Sequence, residues 1–566
     1  MPYITLRPEP VLDPRGEPSV TPAPLAPRLP SLAGRRVVFY DNTKLAFAQY
    51  GAILPALGHL LEEQGARVAV VRRNLRGTEA AAMGEAVEEV RGAGAQAAVL
   101  ALADMGVTPA TVLLAAELER AGVPTVVLCA EPGAGLARVV ARAYVPGLPL
   151  CPLALDQGTP REEVVRQVEA AFPQVVAGLT AAPAPGDVQA GEVPLPPLQP
   201  RGATVEQEGD LTFATVDPGA VGEELYEALG QASLGDGLPV VPPTRARVEA
   251  MLAWTDRKPA EGLIPRCQPS GADLTVERLA VNAVLAGCRP HYLPVLVAAF
   301  QAMSDPRFAF LQGTTTSHPA GHLVLVSGPI AAEVGLHGGA GCLGPGFRAN
   351  ATIGRAITLA LISVARAVPG QADLSCQGSP AEYTYCCAEN TIESPWAPLA
   401  EELHGPGVTT VTVHRCEGPH NVVDFLSTTP EGILEGVASV AATLGGNSAY
   451  HPSHLVVFLS VTHARLIAAA GWGKAEVRRF LYERARVPRA RLQGRGLVPH
   501  WPPEFEALVE VPVVRRPEDV LVVTAGGVGP HSSVAVPWGM GEAVTVPLAL
   551  ADGRPARTIA DFRRGV

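Results

Sequence analysis

Between residues 35 and 130, short apolar runs (RRVVFY, ARVAVV, AQAAVLAL and VPTVVLC) alternate with stretches of helical period at Ala46–Gln64, Glu79–Gly92 and Pro109–Ala121. Parallel strands need a crossover helix apiece, so this alternation predicts a doubly wound α/β domain over residues 34–180. Ligands of such sheets gather at the carboxyl ends of the strands. Those ends carry Asp41 to Lys44, Arg72 to Asn74, Asp104 to Thr108 and Ala130 to Pro132. Residues 1–33 are proline-rich and aperiodic, which predicts an extended arm that packs on a partner subunit. Residues 181–210 are rich in proline, glycine and acid and read as a linker.

From residue 211 to 566 the pattern changes to that of a larger α/β domain. Helices are expected over Glu223–Ser233, after Thr244 as a cap, and over Val276–Leu285; a further helix is begun or interrupted by Pro294. Ile353, Ile357, Leu361 and Val364 recur at helical spacing over 349–364, with Asn350 or Thr352 as caps. Strands end at His414 to Cys416 and follow His454, and a helix starts near His463. Trp472 to Arg484 reads as a basic amphipathic helix with a solvated face. The run VLVVTAGGVGPHSS is a strand followed by a glycine turn. It echoes the glycine loop around Cys342, so the two loops are expected to face one pocket, from two related half-domains without a visible sequence repeat.

The chain has 566 residues with 47% hydrophobic and 17% charged, which is globular and long enough for two or more cores. A formal net charge of -11 argues against nucleic acid and against anionic membrane surfaces as partners. No signal-type run opens the chain and no apolar stretch is long enough to span a bilayer, so the expectation is a soluble cytoplasmic protein. The arm and the low surface charge suggest a homo-oligomer. Nine cysteines without a CxxC are too sparse for a disulfide scaffold and are expected to be reduced. Twelve of the thirteen histidines and seven of the nine cysteines follow residue 216, which moves the expected chemistry into the second domain.

Within that domain, residues 313–390 concentrate the candidates. His337 to Gly346 is a glycine-rich loop feeding a helix, an anion site in outline, with Arg348, Asn350 and Arg355 as substrate contacts and Gly526 and Gly527 as a second loop. Cys342 in the loop is the candidate thiolate, with Cys386 and Cys387 beside Glu389. His318, His322, His531 and Glu389 are the candidate proton carriers. The His318/His322, His451/His454 and His414/Cys416 spacings occur among metal ligands, but Pro319, Gly321 and Pro452 spoil helical presentation; no metal is assigned, and no cofactor is identified. The loop matches neither a Walker nor a GxGxxG pattern. These residues predict an enzyme acting on a small polar or carboxylated molecule, by thiol-assisted reduction or bond cleavage. The alternatives are acid–base or metal-assisted lyase or hydrolase chemistry, and a non-catalytic ligand-binding module.

The DNTK element at Asp41 to Lys44, the run ALADMGVTPATVLLAAELERAGVPTVV and the strand–helix spacing between them resemble the UGSC family, named for a selenocysteine or cysteine motif after the third strand. The resemblance implies selenol or thiol chemistry there. Met105, Gly106, Val107 and Thr108 occupy the motif positions, so both chalcogens are absent. Asp41, Lys44 and Asp104 match and are carried over as substrate contacts. GLPVVPPT, AGCRPHYLPV, GCLGPGFRANATIGRA, YTYCCAEN and GPHNVVDF resemble the C-terminal region joined to such domains.

Overall fold

The computed structural model describes residues 10–16, 19–43, 48–73, 75, 77–104, 107–155, 159–181, 203–205, 210–213 and 218–564. Lys44, Met105, Gly106 and most of the expected linker lie outside these residues.

The N-terminal domain carries five parallel strands, β1 (Arg36–Asp41), β2 (Arg67–Arg72), β3 (Ala97–Ala103), β4 (Thr125–Ala130) and β5 (Leu150–Leu153), in the order β2-β1-β3-β4-β5. Helices α1 (Ile53–Glu63) and α5 (Arg161–Thr180) cover one face. The other face is covered by α2 (Ala80–Gly92), α3 (Thr108–Arg120) and α4 (Glu131–Tyr144). Because both faces are covered, the central strands β3 and β4 are buried at every position, which is why they read as unbroken apolar runs.

The proline-rich arm packs on its own chain. Leu12 N–H donates to Pro243 O, Ser19 N–H to Gly271 O and Ala23 N–H to Tyr144 O, so the arm crosses both domains. Arg28 ion-pairs with buried Glu119 at 2.7 Å. Within the expected linker, Ala203–Val205 pairs with Asp210–Phe213, which pairs in turn with Pro10–Leu12.

The C-terminal domain is a four-layer sandwich of helices, sheet, sheet and helices. Helices α6 (Val276–Leu285) and α7 (Leu293–Met303) follow a two-stranded hairpin, Gly262–Cys267 with Ala272–Thr275, and precede the first strand of the sandwich. The first sheet contains β6 (Gly321–Ser327), β7 (Cys386–Ala388) and β8 (Thr410–Cys416), with helix α8 (Arg348–Ala360) between β6 and β7. The second contains β9 (His420–Val423), β10 (Leu455–Leu459), β11 (Val520–Thr524) and β12 (His531–Ala535), with α9 (Pro430–Ala441), α10 (Val461–Ala469) and α11 (Lys474–Arg484) outside it. The last strand, β13 (Val544–Pro547), returns to the first sheet, giving the orders β7-β6-β8-β13 and β9-β12-β10-β11. Alternation along each strand decides the layers. Leu323, Leu325, Val456, Phe458, Leu521 and Val523 meet between the sheets, whereas Val324, Val326, Val457 and Val522 face the helices.

The two sheets follow one plan. In each, a central strand (β6 or β10) has a parallel neighbour (β7 or β11) and an antiparallel one (β8 or β12). The fourth strand is exchanged: β9 follows β8 but pairs with β12, and β13 follows β12 but pairs with β8. Related half-domains are therefore present as topology.

Two local expectations change. Helix α8 starts at Phe347 as N-cap with no side-chain cap, because Asn350 and Thr352 lie inside its first turns. Helix α11 is not merely a solvated face. Lys474 is buried and binds Glu389 at 3.2 Å and Glu402 at 2.6 Å. Glu389 also accepts from Ser327 Oγ at 2.5 Å and from Leu399 N–H at 2.8 Å, tying three segments together. Replacing Glu389 by Ala leaves Lys474 with Glu402 and the Ala397 carbonyl but strands two buried donors, so Glu389→Ala should lose about 2–4 kcal/mol of stability in urea unfolding. Glu389→Gln, which keeps an acceptor, should lose less; equal losses would mean that the charge on Glu389, and not its acceptor oxygens, carries the effect.

Candidate functional site

A cavity of about 430 Å³ opens on the helix-facing side of the first sheet. His322 on β6 and Arg415 on β8 are directly opposed in register, and both reach into it. A second wall is the end of α8, which widens into a π-helical turn at Leu361–Ala365 before Arg366 takes a left-handed conformation (φ 62°). Such turns shift side chains off the helical register; Leu361 and Ile362 give the cavity an apolar side. The remaining walls are Gly235 and Asp236 together with residues 313–320 and 367–383, which bring Thr316, His318, Asp373, Ser379, Glu382 and Tyr383.

Arg415 is the organising group. Only 4% of the residue is exposed, and burial pushes its pKa down to about 10. Its Nη2 donates to His322 Nε2, its guanidinium carbon lies 5.7 Å from the Trp538 ring centre, and its buried Nε has no hydrogen-bond partner among the described residues. Among the described residues no carboxylate forms an ion pair with it; Asp373 and Glu382 reach it only by longer-range attraction. Gly313 permits this placement, because a Cβ there would stand 2.6 Å from the guanidinium carbon.

The other polar groups are tuned around that charge. Burial, and then the charge of Arg415, hold His322 well below the usual imidazole range, so it is neutral and accepts from the guanidinium. Burial raises the carboxyl groups of Asp373 and Glu382, with Asp373 adding to the shift of Glu382. Glu382 accepts from Ser375 Oγ at 3.0 Å and Ser379 N–H at 3.2 Å. His318 Nε2 lies 3.1 Å from Glu417 Oε1, and its buried Nδ1 has no partner among the described residues. Together these make a buried arginine without an ion-pair partner among the described residues, a histidine–carboxylate pair and two carboxyl groups whose pKa values burial raises.

Of the residues predicted from sequence, His318 and His322 line this cavity. Arg355 sits at its margin, held by Asp236 at 2.6 and 2.9 Å. Arg348 instead donates to Gly287 O at 3.0 and 2.8 Å. Asn350 staples the glycine loop, bonding His337 N–H, His337 O and Cys342 O at 2.8–2.9 Å. Glu389 forms the strut described above. His531 is exposed, 3.0 Å from Asn421 Oδ1. Asp41 binds Thr43 and Arg72 in the N-terminal domain, and Asp104 is buried there.

The thiols occupy a separate place. Cys342 and Cys387 lie between the sheets, whereas Cys386, one residue along the strand, faces the helices. The Cys387 thiol donates to Cys342 sulfur, and with the N–H groups of Gly526, Cys342 and Leu343 it holds the Cys342 pKa below the ordinary thiol value despite burial. Cys387 is correspondingly raised, and burial raises Cys386. Gly526 N–H also donates to Gly338 O at 2.8 Å, and a Cβ on Gly527 would stand 2.7 Å from Ala340 Cβ. The two glycine loops thus meet by direct packing. By topology the turn after β11 corresponds to the turn after β7, not to the Cys342 loop.

Arg415, Asp373, Glu382 and Glu417 were missed by sequence reasoning. The signal available was HRCE after an apolar strand, which was read only for its histidine and cysteine. Among the described residues no group of three or more His, Cys, Asp or Glu is arranged to hold a metal ion, and no helix is long and apolar enough to cross a membrane.

The chain is a two-domain α/β protein with a polar cavity in its second domain. Residues 10–181 match the family model described as the UGSC family, so the N-terminal segment is of UGSC type. No curated protein and no solved structure matches the chain.

Because native His322 stays neutral while the unfolded chain takes up a proton below about pH 6.5, its contribution to stability is full above that pH and is lost as pH falls. The loss is about 1.4 kcal/mol per pH unit until the native imidazole itself titrates. The difference in stability between wild type and His322→Gln should therefore be flat from pH 7 to 8 and fall with that slope below about pH 6; a flat difference throughout would mean that His322 titrates alike in the native and unfolded states.

Proposed function

We propose that the protein is an enzyme that binds a small carboxylated molecule in the Arg415 cavity and cleaves or rearranges it by acid–base chemistry of the lyase or hydrolase type. The observation that carries this reading is a buried arginine, lining a cavity, that has no ion-pair partner among the described residues. A buried unpaired charge costs several kcal/mol, and a substrate carboxylate would offset that cost. The apolar side at Leu361 and Ile362 suits a short carbon skeleton, and the volume suits a metabolite-sized ligand. In this reading Arg415 anchors the carboxylate, His318 paired with Glu417 takes a proton, and Glu382 or Asp373 returns one.

A thermal-shift screen of small mono- and dicarboxylates tests it. At least one should stabilise the wild type, by about 2.7 kcal/mol at a hundred times its Kd, and should leave Arg415→Gln unmoved. Turnover of that compound should fall by about 10²–10⁴-fold in His318→Gln with binding retained. If no carboxylate distinguishes wild type from Arg415→Gln, the reading is wrong.

The lowered Cys342 pKa favours a second reading, in which Cys342 and Cys387 supply thiol-assisted reduction or cleavage. Cys376, the exposed cysteine, sets the accessible baseline for alkylation. Under this reading substoichiometric iodoacetamide at neutral pH labels Cys342 at least as fast as Cys376. Labelling of Cys342 only after unfolding would end it.

A further inference from the structure

We infer that the UGSC-type domain is a working part of the C-terminal cavity: it seats the strap that carries Asp373, so that the site is completed across the domain boundary. This rests on the cavity being the substrate site.

The strap runs from Arg366 to Leu374. On one side Ala367, Pro369 and Asp373 line the cavity. Ala372, next to Asp373, is fully buried within the apolar core of the N-terminal domain, and Leu374 packs against the same core. Gln371 O faces Gly135 in the first turn of α4, at 3.9 Å from where a Cβ would stand. Adjacent strap residues therefore belong to different domains: Ala372 is a core residue of one, and Asp373 is a wall of the other's cavity.

A second route leaves the far end of α4. The Tyr144 hydroxyl meets Gln268 Nε2, and Gln268 O accepts from Thr314 Oγ1 at 3.5 Å, with Thr314 in the cavity wall. Beside it, Ser270 donates through Oγ to Val364 O at 2.7 Å and through N–H to Ala365 O at 3.1 Å, which fixes the end of the π-helical turn. The arm closes the joint from outside, since Ser19 binds Gly271 O and Asp273 while Ala23 binds Tyr144 O. Within the strap, Asp373 N–H donates to Val368 O at 3.1 Å and Gly370 N–H to Asp373 O at 2.8 Å, so the turn moves as a unit with Ala372. A displacement at Ala372 is thus delivered to the Asp373 carboxyl, which faces Arg415 and Glu382 across the cavity.

Ala372 and Tyr144 are positioning residues in this scheme. The full-length chain is compared with Ala372→Leu, which overfills the seat, with Tyr144→Phe, which removes the second route, and with Ala171→Leu as a control in the opposite core of the same domain. By hydrogen exchange of the ligand-free proteins, amides of residues 366–383 should exchange at least tenfold faster in Ala372→Leu and measurably faster in Tyr144→Phe. Strands β6 and β8 should be unchanged, and Ala171→Leu should leave residues 366–383 as in wild type. For a carboxylate found through the Arg415 screen, affinity should drop about tenfold in Ala372→Leu and the pH profile of binding should shift, with neither change in Ala171→Leu.

Wild-type exchange over 366–383 in both joint variants, or an equal effect from Ala171→Leu, overturns the inference. So does an unchanged affinity and pH profile in a variant whose strap has loosened. If no carboxylate binds the wild type, the substrate reading fails by itself, and the exchange result still decides whether the N-terminal domain holds the strap. Should Ala372→Leu fail to fold, Tyr144→Phe carries the same comparison.

Discussion

A guanidinium removed from water must be compensated within a few ångströms, and much of the C-terminal domain is arranged around that demand at Arg415. Gly313 gives it room, Trp538 offers a ring face, and His322 is kept neutral so that it can accept a hydrogen bond where a second cation would repel. The nearby carboxyl groups stand off instead of closing an ion pair, and burial raises their pKa values. The compensation is incomplete, and on that the proposed carboxylate-binding role of Arg415 rests. Lys474 makes the contrast: equally buried, it is held between Glu389 and Glu402 and has no charge left over for a ligand.

The duplicated plan of the two sheets makes that asymmetry visible. Val324 opposite Val413 corresponds to Val457 opposite Val534. Counting outward, His322 and Arg415 correspond to Leu455 and Val536, both buried in the apolar core of the second half. One half builds a polar cavity where the other builds core, on the same backbone scaffold. Strand exchange ties the halves together: Glu417 N–H donates to Val536 O at 2.8 Å and Trp538 N–H to Arg415 O at 3.1 Å, so the chain after β12 runs beside the end of β8. Trp538 reaches Arg415 by that route. Neither half could hold the cavity alone.

The elements were legible where periodicity is local. Helices α2, α3 and α6 follow the sequence pattern within a residue or two, because packing there reinforces propensity, whereas α1 begins only at Ile53, after a 3-10 turn over Ala48–Ala52. The arm was legible as extended but not as self-packed, since the partners of Ser19 and Ala23 lie far along the chain. The candidate site was only half legible. Its walls come from residues 313–320, 367–383 and the end of β8, and no spacing rule links segments that a fold brings together. Composition misled in the other direction: glycines and cysteines around 337–346 looked reactive, yet Asn350 and two close glycine contacts use that loop to cover the strand ends. An arginine inside a strand, by contrast, carries no motif.

The separation of thiols from the cavity follows from the pleat. Successive residues of β7 point to opposite faces, so Cys386 and Cys387 cannot act as one pair; Cys386 enters the helical core and Cys387 the layer between sheets. Within that layer the hydrogen bond between the two thiols raises Cys387, with burial adding to it, and lowers Cys342, with backbone N–H groups assisting. A polar thread nevertheless joins the two places. Tyr385 lies in the same layer, and its hydroxyl donates to the backbone carbonyl of Glu417 at 3.3 Å, whose side chain holds His318 in the cavity. Chemistry on the polar side needs water-sized access and titrating groups, which the cavity has. A thiol in the dry layer needs a route in, and the sheets close that route unless the loop stapled by Asn350 opens. The geometry therefore ranks the two chemistries by access before it ranks them by reactivity.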